Sequence, residues 1–128
     1  MTCYLLHLQQ PLSRGVSPSG RPLVAGHYIG YTEDLISRID EHVSTTWLPL
    51  PEPVVENGKR RRGQKKGDGA TFMGFVNFMH IEWKLARTWD GADQAAEKKL
   101  KNYKNAPMLC PDCDPDALKR MRLETIWA

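Results

Sequence analysis

The sequence predicts an α/β fold, a small three-stranded sheet flanked by helices. Three observations lead there. Residues 3–9 and 23–31 are apolar, strand-forming stretches near the start of the chain. Two later stretches, one after Thr32 and one after Gly91, carry apolar residues at helical spacing. A third strand-like stretch, residues 79–88, lies between them. Strands and helices in that order pack most simply as one sheet with helices against it.

Residues 3–9 offer Tyr4, Leu5, Leu6 and Leu8 for burial. Pro11 and the run Arg14-Gly15-Val16-Ser17-Pro18-Ser19-Gly20 break that strand and read as a long hairpin connection. Gly30, inside the second strand, marks a bend or a close approach by another group. Thr32 caps the next helix, with Glu33 and Asp34 in its favourable first turn. Leu35, Ile36 and Ile39 form its apolar stripe, and Arg38 and His42 share one face. The helix ends near Val43. Pro49, Pro51 and Pro53 exclude a long helix or a central strand. Residues 54–68 read as a mobile loop, part of a basic insertion over residues 49–68. Its cations are Lys59, Arg60, Arg61, Arg62, Lys65 and Lys66. Residues 70–77 fit a short helix or irregular chain. Trp89-Asp90-Gly91 closes the third strand. The second helix spans about residues 92–103, with Ala92, Ala96, Leu100 and Tyr103 as its buried stripe. Glu97 and Lys101 pair four apart, and Lys98, Lys99, Lys101 and Lys104 make this helix basic. Pro107 ends it. Residues 116–126 fit a short terminal helix.

At 128 residues, with 41% hydrophobic and 26% charged side chains, the chain has a globular composition. No apolar run is long enough to cross a membrane, and no signal peptide is read at the start. Three cysteines fit a reducing compartment. The expected location is therefore cytoplasmic or nucleoid-associated, not secreted. The net charge of +3 is uneven: residues 1–58 carry −3 and residues 59–128 carry +6. Such a split permits a polyanionic partner, and each Lys or Arg that meets a phosphate releases counterions. A solvated surface is the plain alternative.

Candidates for chemistry are polar groups placed where a core residue is not expected. Arg38, Glu97 and the strand tyrosines meet that test. Taken alone, a strand tyrosine is more often a core-edge residue, and Glu97 before lysines is more often half of a surface ion pair.

The ordered set reads differently. Tyr28-Ile29-Gly30, Arg38 and His42 resemble the second half of the GIY-YIG nuclease signature, and Thr2-Cys3-Tyr4 stands where the first half would be, matching at the tyrosine. Glu97 falls where that family's metal-binding glutamate lies, and Asn102 or Asn105 matches a downstream asparagine. The resemblance covers roughly residues 2–106. It implies a GIY-YIG endonuclease-like domain over residues 1–106, with a mixed sheet, and a tail over residues 107–128. It also implies a metal-dependent hydrolase cutting double-stranded or branched DNA, with a homodimer as one route to double-strand cleavage and no membrane partner. Tyr4 would be the general base, Tyr28 would position it, Arg38 would bind the scissile phosphate, and His42 would stand beside it. Glu97 would hold one Mg²⁺ or Mn²⁺. Tyr31 lies next to this set. Gly26 stands where many members carry a lysine, and His27 beside it is the nearest substitute. The basic insertion, with Lys98 and Lys101, would contact the nucleic acid.

The chemistry has its own logic. A divalent ion lowers the pKa of bound water and offsets charge on the phosphate. A guanidinium fork suits two phosphate oxygens. Two other readings compete: a non-catalytic nucleic-acid-binding module on the same fold, and a protein-interaction domain. Cys110 and Cys113 form a CPDC element, half of a structural zinc site, with a redox pair or a buried turn as alternatives. Asp112, Asp114 and Asp116 read as a capping-rich turn rather than a metal cage.

Overall fold

A computed structural model describes residues 1–16, 18–20, 22–103 and 105–122. The chain divides into two compact units, Met1–Leu35 with Glu82–Ala128, and Ile36–Ile81.

The first unit is built on an antiparallel sheet of order β2-β1-β5, from β1 (Thr2–Val16), β2 (Pro22–Thr32) and β5 (Trp83–Asp90). All its described pairings are antiparallel, which corrects the mixed sheet implied by the resemblance. β1 runs past Pro11, but its ladder to β2 shifts between His7 and Leu12, so the proline falls in an irregularity rather than a regular rung. Tyr4 pairs with Gly30, Leu5 with Ile29 and His7 with His27. A Cβ on Gly30 would overlap the Tyr4 ring, so only glycine lets that ring lie across the neighbouring strand.

Alternation gives this sheet two faces. Cys3, Leu5, Ile29 and Trp89 lie in one buried cluster with Ala92, Ala96, Leu100, Leu109 and Cys110. These last come from helix α3 (Gln94–Asn102) and the tail behind it. The α3 stripe is as the spacing predicts. Asp93 caps the helix, its side chain accepting the Ala96 amide at 3.0 Å. Glu97 and Lys101 form the expected pair at 3.7 Å. Among the described residues the tail has no long helix: it makes short 3-10 turns at Ala106–Leu109 and Ala117–Lys119. The expected helix over residues 116–126 is thus replaced by one turn as far as it can be followed. Residues 123–126, and Lys104, lie outside the described residues.

The second unit holds most of α1 (Leu35–Ser44), a two-stranded ribbon of β3 (Thr46–Glu56) and β4 (Lys59–Lys66), and α2 (Thr71–Phe78). Thr32 is not the helix cap: its hydroxyl accepts the Asp34 amide in the turn before α1. Ile36 is 77% exposed, so the α1 stripe is narrower than its sequence implies. The basic insertion is no loop. Asn57 and Gly58, at φ of 50° and 75°, form the tip of a hairpin, the backbone geometry of a two-residue type I′ turn. Pro51 and Pro53 lie where the register shifts between Pro49 and Val54, so neither interrupts a regular ladder. At the base, the Trp47 ring lies over Gly63 and stacks on Phe75 of α2, with centroids 4.5 Å apart.

A polar core joins α1, the ribbon and α2. The Thr45 hydroxyl donates to the Glu41 carbonyl and accepts the Gly69 amide, both at 2.6 Å. Asn77 donates to the carbonyls of His42 and Thr45, each at 2.7 Å. Buried His42 accepts the Ala70 amide at Nδ1, 3.3 Å away, so that nitrogen must be unprotonated.

Two outcomes follow from this packing. Gly30→Ala should cost about 1–3 kcal/mol by overpacking against Tyr4, and much less in a Tyr4→Leu background. Urea unfolding of the four proteins reads this directly, and equal costs in both backgrounds would show that the ring does not set the strand spacing. Burial first, then Arg38, lowers the His42 pKa from 6.5 to about 4. The fold therefore favours neutral imidazole. That contribution is whole above pH 6.5 and is lost as pH falls through about 4. It amounts to about 3 kcal/mol. In His42→Asn, where Oδ1 can take the Ala70 amide, stability should fall less between those two pH values. Parallel pH profiles for the two proteins would refute it.

Candidate metal centre

In the first unit, four ligand atoms from three stretches of chain meet. They are Nδ1 of His7 on β1, Nε2 of His27 on β2, and the Sγ atoms of Cys110 and Cys113 in the tail. All lie within 4.8 Å of one another. The histidines are neighbours because β1 and β2 place them directly opposite each other. The cysteines are neighbours because the CPDC segment turns tightly: the Cys110 carbonyl accepts the amides of Cys113 and Asp114, both at 3.0 Å.

The distances test a metal. His7 Nδ1 is 3.2 Å from His27 Nε2. Cys110 Sγ is 3.5 Å and Cys113 Sγ 3.6 Å from His7 Nδ1. Cys113 Sγ is 3.4 Å from His27 Nε2. A tetrahedral zinc, with Zn–S near 2.3 Å and Zn–N near 2.05 Å, sets N–N edges at about 3.3 Å and N–S edges at about 3.5 Å. The four measured edges agree with those values. Two imidazole nitrogens and two sulfurs suit zinc and not Mg²⁺, which takes oxygen ligands. This corrects the expected cofactor: the ligand set is of zinc type, not a Mg²⁺ or Mn²⁺ site on a glutamate.

Without an ion, burial and then the neighbouring His7 lower the His27 pKa. Burial and the adjacent Cys110 push the Cys113 thiol up to about 11. A bound dication would draw the Cys113 thiol down towards thiolate and would further favour neutral His27, the two forms that bind a metal. Around the cluster, Lys84 reaches Asp112 at 2.9 Å and Arg120 reaches Asp114 at 3.0 Å. Asp114 also accepts the Asp116 amide at 2.8 Å, so these acids form the capping-rich turn their spacing predicts.

The expected hydrolytic site has no such convergence. Tyr4 is fully buried, its ring 6.2 Å from that of Tyr28. Both belong to the sheet face opposite Cys3, by strand alternation and by the Tyr4–Gly30 pairing. Glu97 lies on the Cys3 side. It and Asp93, after burial, raise the Cys3 thiol to about 11. Its described partner is Lys101. A tyrosine- and glutamate-based metal site is thus overturned by the His7, His27, Cys110 and Cys113 cluster. In the second unit, Arg38 Nη1 donates to Glu41 at 2.7 Å and to the Asp68 carbonyl at 2.9 Å. His42 is a buried structural acceptor. Tyr31 packs against the first unit's core. Asn102 is exposed near the end of α3. Exposed Asn105 bonds to the Met108 sulfur. Lys98 and Lys101 are exposed on α3.

The sequence reading missed His7 altogether and placed His27 only as a substitute lysine. The signal was present: moving three residues along both strands from the Tyr4–Gly30 pair reaches His7 and His27. Among the described residues, no helix is long and apolar enough to cross a membrane. No family model, curated protein or solved structure matches this chain.

Proposed function

We propose that this chain is a non-catalytic nucleic-acid-binding module. It keeps a GIY-YIG-like order of strands and helices, and a structural zinc ion steadies its first unit. The observation that carries the reading is the basic ribbon. β4 reads Lys59-Arg60-Arg61-Arg62-Gly63-Gln64-Lys65-Lys66, and all of these but Arg61 and Gly63 are exposed. An extended strand spaces its cations at about 3.3 Å per residue. A two-stranded ribbon is also of a size that the major groove of B-form DNA admits. Duplex DNA is therefore the favoured partner, bound through its phosphates. Lys65 donates to the Gly69 carbonyl at 2.9 Å, which ties the foot of the ribbon to the loop before α2.

The metal centre supports the non-catalytic reading. Four protein ligands would fill a tetrahedral zinc's positions and leave none for water or substrate, the mark of a structural site. Zinc would join the tail to the β1–β2 hairpin and supply cross-linking, not Lewis-acid chemistry.

Replacing Lys59, Arg60 and Arg62 together by Gln should make the log–log salt dependence of duplex binding shallower by about 2–3. The fold should survive, because all three side chains are exposed. Fluorescence anisotropy at several salt concentrations measures the slope. A wild-type chain that shows no salt-dependent association, or an unchanged slope in the triple variant, would sink the reading. The purified chain should also hold one zinc per molecule. Cobalt in its place should give a tetrahedral visible spectrum with a thiolate charge-transfer band, weakened in Cys113→Ser.

A further inference from the structure

Arg87 has no part in the proposed function, yet it is the one arginine of the described residues that is buried. It projects from β5 on the face that carries Leu5 and His7, being paired with Leu5 across the β1–β5 ladder. Among the described residues its guanidinium meets three backbone carbonyls and no carboxylate. Nη1 donates to Leu109 at 3.2 Å and to Ala117 at 2.7 Å, and Nη2 donates to Arg120 at 2.7 Å. Its Cζ stands 4.4 Å from the centre of the Trp89 ring. The Trp89 indole nitrogen donates to Met121 at 2.8 Å. All four acceptors lie in the tail that carries the two cysteines, and Leu109 is the residue next to Cys110.

From this arrangement we infer that Arg87 is the positioning residue of the metal centre. It pins the tail against β5, so that Cys110 and Cys113 face His7 and His27 before a metal arrives. The inference rests on the zinc reading above.

A charged fork is suited to this task. Its donors reach acceptors from three separate points of the chain through a rigid, planar fork, which a flexible ammonium group does not reproduce. Removing it would take the guanidinium donor from the carbonyl of buried Leu109 and let the tail drift from the histidines. Nothing here depends on the metal, so the half-site is held in the metal-free protein too. This differs from small zinc domains that fold only when the ion binds.

The test uses the full chain, stripped of metal and titrated with zinc against a competing chelator. Arg87→Lys keeps the charge and a long stem over Trp89. Its zinc affinity should fall by about 10–100-fold, the usual cost of losing a group that orients ligands. Its cobalt spectrum should keep the wild-type band positions, because the four ligands remain. Lys84→Met, which breaks the exposed pair with Asp112, serves as control and should stay within about fivefold of wild type. Hydrogen exchange of the metal-free proteins gives a second readout: amides near Cys110 should be protected in wild type and lose protection in Arg87→Lys. A merely structural role would lower stability alike with and without zinc and leave the affinity of the folded protein unchanged. Affinity in Arg87→Lys within threefold of wild type, or an unprotected tail in metal-free wild type, overturns the inference. A wild-type chain that takes up no zinc or cobalt defeats the zinc reading itself, so the two failures are distinguishable.

Discussion

The ring of Tyr4 lies across Gly30 of the neighbouring strand, where a side chain would collide with it. This contact pins the register of β1 against β2, and the metal centre depends on that register. Three residues further along both strands, His7 and His27 stand directly opposite each other. A slip of one residue would break this pairing and turn one imidazole to the other face. With the register held, both rings share the face that carries Cys3 and Leu5. Helix α3 covers the Cys3 end of that face, where Cys3 Sγ contacts the Asp93 carbonyl at 3.6 Å. The tail covers the His7 end, where Cys110 and Cys113 arrive. One steric fit between an aromatic ring and a glycine thus fixes where four separate ligands meet.

The same alternation separates the groups expected to cooperate in hydrolysis. Tyr4 and Tyr28 belong to one face of the sheet, while Glu97 comes from the helix packed on the other. No rotamer carries a phenol through a hydrogen-bonded sheet to a carboxylate beyond it. The buried phenol of Tyr4 also lacks the solvent contact that activating water would need. Arg38 is spoken for within its own unit by Glu41 and the Asp68 carbonyl. The motif-like spacing in the sequence reports a sheet register and a helix start, and both exist. The chemistry inferred from that spacing needed a convergence that the sheet does not provide.

Parts of the fold were legible in the sequence because they depend on local rules. The α3 stripe and its Glu97–Lys101 pair both follow from helical periodicity and short-range contacts. The β1 and β2 strands follow from apolar, strand-forming runs. The ribbon was legible as well, through Asn57-Gly58, the strongest short hairpin signal; the prolines and charges around it drew attention to a loop instead. Ile36, 77% exposed, fits a helical stripe by its spacing, and only the packing shows it unused. The metal centre was half legible. A CPDC turn is local, but its partners lie far off in sequence, and only a strand register brings them together. Arg87 left no signal, since a cation in a strand reads as surface until the tail is folded over it.

That tail explains why a zinc-type ligand set and a buried arginine occur together. Its described residues form only short 3-10 turns, which leave many of its carbonyls without a helix or ladder partner. Arg87, Trp89 and Arg120 satisfy five of these contacts in their place: Leu109, Ala117, Arg120, Met121 and Met108. Burying a guanidinium without a carboxylate costs desolvation, and carbonyl dipoles with an indole face offset part of that cost. These contacts hold the tail in place, and covalent ligation would strengthen that hold. A zinc ion would do so, because its two tail sulfurs would be joined to one imidazole from each strand of the hairpin. On the inference above, the arginine would set the place and a bound metal would add the strength. A segment that could not have become a stable element alone is thereby fixed to a sheet that needed a cover on that face.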